Sequence, residues 1–166
     1  MKYLFLVDTN FFIQAHRVSY PFDVVPSFWN KVKDLADNDK IFSIDKVKDE
    51  IYRNEDDLKK WCQSNLKEDF WKDTSEVSKE YSTLANWAVK QTTRYTQNAI
   101  NDFLDSTNAD AFLIAYALAD PTARIIVTYE IADKKKSIIK IPNVCVPFKI
   151  KHLDPISMFR ELYESF

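Results

Sequence analysis

The chain should fold as an α/β protein, a three-layer α/β/α sandwich around a mainly parallel sheet, and three features of its sequence point there. Short, almost wholly apolar runs stand at Tyr3 to Val7, Ile41 to Ile44 and Ile125 to Thr128, as expected of strands covered on both faces. Stretches with helical spacing alternate with them, the pattern that builds a parallel sheet. The segment Ala111 to Ala119 is apolar all the way round, so its helix should lie buried against that sheet. With 166 residues, 46% of them hydrophobic and 14% aromatic, one domain spanning 1–166 has ample material for a core.

In chain order, the first strand ends at Asp8, and Thr9 and Asn10 open the turn into a helix from Phe11 to His16. A proline-punctuated connection, Ser19 to Pro26, leads to a helix over about 27–37, with Pro26 at its start and Phe28, Val32 and Leu35 on one face. After the second strand Asp45 should cap a helix from Lys46 to Arg53. Residues 55–107 read as a helical insertion, charged outside and aromatic inside, with Leu58, Trp61 and Cys62, then Phe70 and Trp71, then Val77, Tyr81, Leu84 and Ala88 facing inward. The buried helix occupies Ala109 to Ala119. The third strand ends at Tyr129 and Glu130, Lys134 to Lys136 top a loop, Val144 to Val146 form a fourth strand, and Pro155 starts a final helix to about Tyr163.

Composition narrows the function classes. Lysine and arginine number 23 against 25 acids, so a net charge of −2 supplies no global field for nucleic acid or an acidic membrane, and any polyanion site must be local. The chain has no glycine, which argues against phosphate-cradling loops and dinucleotide fingerprints. Cys62 and Cys145 are isolated, and with only His16 and His152 they offer no zinc spacing. No stretch reaches the length of a membrane span, and the first apolar run is too short for a signal peptide, so a cytoplasmic protein is expected.

Four acids hold strategic places. Asp8 ends the first strand, where ligand groups gather in open α/β sheets, although it could equally cap the following helix. Glu50 falls about 60° from Val47 and about 100° from Ile51 around its helix, on the flank of the apolar stripe, whereas Asp49 points about 160° from Val47. Its plain alternative is a charge snorkelling to water. Asp110 lies in the first turn of an apolar helix; there it is costly to bury unpaired, unless Asn108 caps and Asp110 only favours the helix dipole. Glu130 ends the third strand beside the lysine loop, where simple solvation competes with a site role. If the four converge, they repel one another, and a divalent cation resolves that repulsion. Oxygen ligands without His or Cys select Mg²⁺ or Mn²⁺, one or two ions that could activate water for displacement at phosphorus.

Leu6-Val7-Asp8-Thr9-Asn10, Val47-Lys48-Asp49-Glu50-Ile51, Asn108 to Ala117 and Ile126-Val127-Thr128-Tyr129-Glu130 together resemble the four ordered motifs of PIN-domain nucleases, the superfamily of VapC-like toxin ribonucleases. Tyr20-Pro21, Pro26 to Trp29, Trp61 and Ile141 to Cys145 look closest to a poorly characterised prokaryotic PIN-like branch. The resemblance implies a Mg²⁺- or Mn²⁺-dependent endoribonuclease, commonly the toxin of a toxin-antitoxin pair. It implies that Asp8, Glu50, Asp110 and Glu130 carry the metal site, with Asn10 and Thr128 in support. RNA, a small antitoxin protein and a second copy of the chain are the partners to expect. The chain departs from the pattern in having Glu130 where many members have Asp, and in its long insertion.

A haloacid-dehalogenase-type phosphatase would need a second Asp where this chain has Asn10. The other rival is a PIN-fold binding module, weak or inactive in catalysis, acting through its helical insertion. For RNA contact the basic candidates are Lys134, Lys135, Lys136 and Arg94, although a lysine run is commonly a solvated loop.

Overall fold

The computed structural model describes residues 2–166. Strands β1 (Leu4–Val7), β2 (Ile41–Ile44), β3 (Trp71–Lys72), β4 (Arg124–Val127) and β5 (His152–Leu153) form one sheet in the order β3-β2-β1-β4-β5. Each neighbouring pair runs parallel. In β1, β2 and β4 consecutive side chains are buried, Ser43 included. Because successive side chains point to opposite faces, such strands need cover on both, which is the three-layer α/β/α arrangement. The chain builds outward from β1 to β2 and β3, then crosses back to place β4 on the other side of β1. A crevice opens at the carboxyl ends where the winding reverses, between β1 and β4.

Helix α1 (Thr9–Gln14) runs into a π-helical turn at Ala15–Ser19, and α2 (Pro26–Asp37) begins on Pro26 and buries Phe28, Trp29, Val32 and Leu35. Phe28 knits its neighbours together: its ring lies 6.0 Å from Phe11, 4.3 Å from Tyr20, 5.2 Å from Trp29 and 6.0 Å from Phe159 of α9 (Pro155–Glu161). Helix α3 (Asp45–Tyr52) buries Val47 and Ile51 and leaves Asp49 exposed. The apolar helix is α7 (Ala109–Leu118); it packs on β2 and β4 and against α3, α5 (Ser78–Val89) and α8 (Ile141–Phe148). Ala109, Ala111, Ala115 and Ala117 are all buried, and their small side chains let those neighbours approach from several sides.

Three sequence expectations need correction. Val144 to Val146 belong to helix α8, not to a strand. Pro142 sits in the helix's first turn, Ile141, Val144 and Cys145 are buried at helical spacing, and Val146 is 71% exposed. The strand of that region is β5, whose two residues are too few to show any period. The stretch 55–107 is helical in α4 (Asp57–Asn65), α5 and α6 (Gln97–Phe103), but Trp71–Lys72 add a strand to the sheet beside Ser43 and Ile44. Asp45 does not cap α3 from outside; it occupies the first turn, and its carboxylate accepts from the Lys46 and Thr74 amides and the Thr74 hydroxyl.

Ser43 explains how a polar residue tolerates the middle of the sheet. It is fully buried, and its hydroxyl donates to the Val7 carbonyl at 2.7 Å, tying β2 to the end of β1. Ser43→Ala should therefore cost about 1 kcal/mol. Urea melts should show a lower midpoint at unchanged slope, and an unchanged midpoint would mean that the bond contributes nothing.

Candidate active site

Sheet register sets the first contact. Val7 pairs with Val127, so the next residues, Asp8 and Thr128, emerge side by side from β1 and β4. Thr128 donates its hydroxyl to Asp8 Oδ2 at 2.5 Å, and the Phe11 amide donates to Asp8 Oδ1 at 2.7 Å. Asp8 is thus the N-cap of α1 and also lines the cleft at the carboxyl edge of the sheet, so capping the helix does not take it away from the opening. Asp8 and Thr128 are each 2% exposed.

Glu50 does not snorkel to water. Its Oε2 accepts from the Thr9 hydroxyl and its Oε1 from the Ala109 amide, each at 2.6 Å, so one carboxylate fixes the starts of α1 and α7 relative to each other. The Asn108 side chain accepts from the Asp110 amide at 3.0 Å, the expected cap. That arrangement uses Asp110's backbone and leaves its carboxylate without a hydrogen-bond donor among the described residues. Glu130 accepts from the Ile141 amide at the start of α8, 2.9 Å away, and lies 3.9 Å from the Lys140 ammonium.

These acids line one open cleft of about 520 Å³ at the carboxyl edge of the sheet, shared by Asp8, Thr9, Asn10, Ile13, Glu50, Arg53, Asp102, Asp105, Thr107, Asn108, Asp110 and Glu130. Thr128 acts from behind, through Asp8. Lys134, Lys135 and Lys136 are exposed on a loop outside this wall, and Arg94 is half-buried with its guanidinium on that loop's backbone. Sequence reasoning missed Arg53, Asp102, Asp105 and Thr107. Arg53 carried a usable signal, since it follows Glu50 by three residues on one helical side. Its guanidinium donates to the Thr107 carbonyl at 2.6 Å. Asp102 lies near the end of α6, and Asp105 and Thr107 follow in the polar turn before α7, with nothing but proximity to mark them.

Electrostatics express the crowding. Burial pushes the Asp8 carboxyl from 3.8 up to about 7, helped by Glu130 and Glu50 and opposed by the hydrogen bonds from Thr128 and Phe11. Asp110 is held well above 3.8, first by burial, then by Glu130, Asp8 and Glu50, with Lys140 opposing. Two carboxyls pushed up by burial and by neighbouring acids, with little positive charge beside them, are a fitting environment for a hard divalent cation. Each carboxylate oxygen that accepts one hydrogen bond keeps a second lone pair for such an ion. The fit is one of chemistry more than of a finished cage: among the described residues no three Asp, Glu, His or Cys side chains are already closed into a coordination sphere.

The reversed winding and the parallel five-stranded sheet between helices make a PIN-like fold. A chain in a solved structure described as "Crystal structure of VapBC2 from Rickettsia felis bound to a DNA fragment from their promoter" shares it, with a TM-score of 0.51 at 18% identity over 91% of this chain and 98% of that one. The protein belongs to the family described as "Domain of unknown function (DUF4411)", whose model matches residues 5–166. No curated protein matches the sequence. Among the described residues no helix is long and apolar enough to cross a membrane.

The raised carboxyls fix the sign of a pH effect. Asp8 and Asp110 bind protons more tightly folded than unfolded, so each contributes fully below about 3.8; the Asp8 contribution is lost as pH rises through about 7, and that of Asp110 is likewise lost with rising pH. Asp37, Asp73, Asp105 and Asp154 are held below 3.8 and change only at lower pH. His152, lowered from 6.5 by burial, works in the opposite direction, so a comparison with Asp8→Asn isolates the carboxylate. In EDTA the wild type should lose more melting temperature between pH 5 and pH 8 than Asp8→Asn does. Parallel losses would show that Asp8 ionises without cost.

Proposed function

We propose that the protein is a metal-dependent endoribonuclease hydrolysing RNA phosphodiester bonds, with one or two Mg²⁺ or Mn²⁺ ions held by Asp8, Glu50, Asp110 and Glu130. The observation that carries this reading is the meeting of four carboxylates, from two strand ends and two helices, around one cleft at the sheet's switch point. A bound divalent ion would supply Lewis acidity toward the phosphate and lower the pKa of a coordinated water. The chain's part is positional. Thr128 and the Phe11 amide orient Asp8, Thr9 and the Ala109 amide orient Glu50, and the Ile141 amide orients Glu130. Asn10 stands on the cleft wall as a neutral polar contact.

The similarity to a VapBC2 chain supports a further proposal, that the protein is the toxin of a toxin-antitoxin pair. A small antitoxin protein would be its partner, and a homodimer its own assembly. Expression alone should then arrest growth, and co-expression of the adjacent reading frame should relieve the arrest.

Activity and stability test the metal site separately. Cleavage of single-stranded RNA should require Mn²⁺ or Mg²⁺, stop in EDTA and be nearly abolished by Asp8→Asn; equal cutting in EDTA would sink the metal mechanism. A cation that binds only the folded state adds roughly 2.7 kcal/mol at about one hundred times its dissociation constant. For a domain of this size that is several degrees, at about 2–4 °C per kcal/mol. Asp110→Asn, freed of one repulsion, should melt at or above wild type in EDTA yet gain less from Mn²⁺. A purely dipole-stabilising Asp110 predicts instead a loss of up to about 1 kcal/mol with or without metal. A PIN-fold binding module without a metal site predicts no Mn²⁺ shift at all.

A further inference from the structure

A second cavity, of about 160 Å³, opens off the cleft and shares Asp102, Asn108 and Asp110 with it. Its other walls are Ala99 and Phe103 of α6 and Ser137, Ile138 and Ile139, the residues that directly follow the lysine run. The segment carrying the lysines is built to hold one shape. Arg94 donates from Nη2 to the Asp133 carbonyl and from Nη1 to the Lys134 carbonyl, both at 3.1 Å. The Thr96 amide donates to the Lys136 carbonyl at 2.9 Å, and Asn143 exchanges two hydrogen bonds with the Asp133 backbone at 2.9 and 3.1 Å. The side chains of Lys134, Lys135 and Lys136 remain exposed and form no ion pair among the described residues. The cleft itself sets six acids against Arg53, so a polyanion leaving it meets repulsion until it reaches positive charge.

We propose that residues 133–139 form a fixed arm that receives the single-stranded part of the substrate as it leaves the cleft. This rests on the nuclease reading and names the substrate's path. Lys134, Lys135 and Lys136 hold successive phosphates, and the second cavity takes one base between Phe103 and the Ile138–Ile139 wall, with the Asp102 carboxylate able to accept from a base amino group. A base can enter such a cavity only when it is turned out of its stack, which single strands and loops permit and a duplex resists. Arg94 does not touch RNA here. It is a positioning residue, because its fork is already occupied by two carbonyls of the arm, and a lysine cannot reproduce that fork.

Binding measured apart from cleavage tests the arm. Fluorescent single-stranded RNA is titrated by anisotropy with Ca²⁺ in place of Mn²⁺, the RNA being checked for integrity, and the titration is repeated over a range of salt. The variant with Lys134, Lys135 and Lys136 all changed to Ala should bind roughly tenfold or more weakly, and its salt slope should shrink by about 0.7 for each phosphate that is no longer neutralised. A charge-matched variant with Lys60, Lys67 and Lys79 changed to Ala, all exposed on other elements, should bind like wild type. Arg94→Lys should weaken binding and speed amide exchange at 133–136, whereas a direct phosphate contact predicts retained affinity and unchanged exchange. Unchanged affinity and slope in the triple-lysine variant, or equally tight binding of a blunt duplex, overturns the arm. If that variant also cleaves with wild-type kinetics in Mn²⁺, the nuclease reading stands without it. Wild-type binding without cleavage in any divalent ion leaves the arm and removes the nuclease.

Discussion

Much of this structure depends on where Asp8 sits: a carboxylate at 2% exposure, wedged between the ends of two adjacent parallel strands and held by Thr128 from the neighbouring one. An ionised carboxylate in such a place is costly, and hydrogen bonds from one hydroxyl and one amide offset only part of that cost. The surroundings are organised to keep it there. The sheet register puts Thr128 beside it, the first turn of α1 supplies the Phe11 amide, and the hydroxyl of Ser43 closes the carbonyl immediately before it. Glu50 then ties α1 to α7 across the same opening, so the cleft's shape and its charge come from the same contacts.

How much of this can be read from the chain follows the length of each signal. The three central strands are legible because each has four residues and is buried on both faces. The buried helix is legible because ten residues without an outer polar face need apolar neighbours all round, which the sheet and the flanking helices supply. Asp8 and Asp110 stand out through their positions at a strand end and a helix start, and Glu50 through its angle around α3. The edge strands β3 and β5 escape because two residues have no period. Helix α8 reads wrongly as a strand because Ile, Val, Cys and Val are equally at home in one, and the helix-start signal of Pro142 is easily passed over. That error reaches the site, since the amide that orients Glu130 belongs to the first residue of α8. The orientation of Glu130 cannot be worked out while the helix is taken for a strand.

The absence of glycine bears on both fold and site. Left-handed backbone occurs at Asp39, Lys149 and Tyr163, with φ of 53°, 56° and 57°, positions where glycine would avoid the Cβ clash. Lys149 ends α8 in this way, immediately before the connection to β5. In the cleft the same composition means that recognition falls to side chains, because every residue along its rim carries a Cβ. Oxygen atoms reach into the opening from Asp, Glu, Asn and Thr, and among the described residues that line its wall positive charge comes from Arg53, with Lys140 close behind Glu130.

The two-residue strands at either margin of the sheet have a consequence for assembly. A protein that recruits another by extending its sheet needs an edge long enough for a ladder of main-chain hydrogen bonds, and that edge is also where unwanted fibre growth begins. With Trp71–Lys72 on one side and His152–Leu153 on the other, this sheet offers little backbone in either direction. Contacts with other molecules therefore fall to side chains on helices and loops, where a few substitutions can change the partner without disturbing the strands, and the short margins protect the chain from stacking edge to edge on itself.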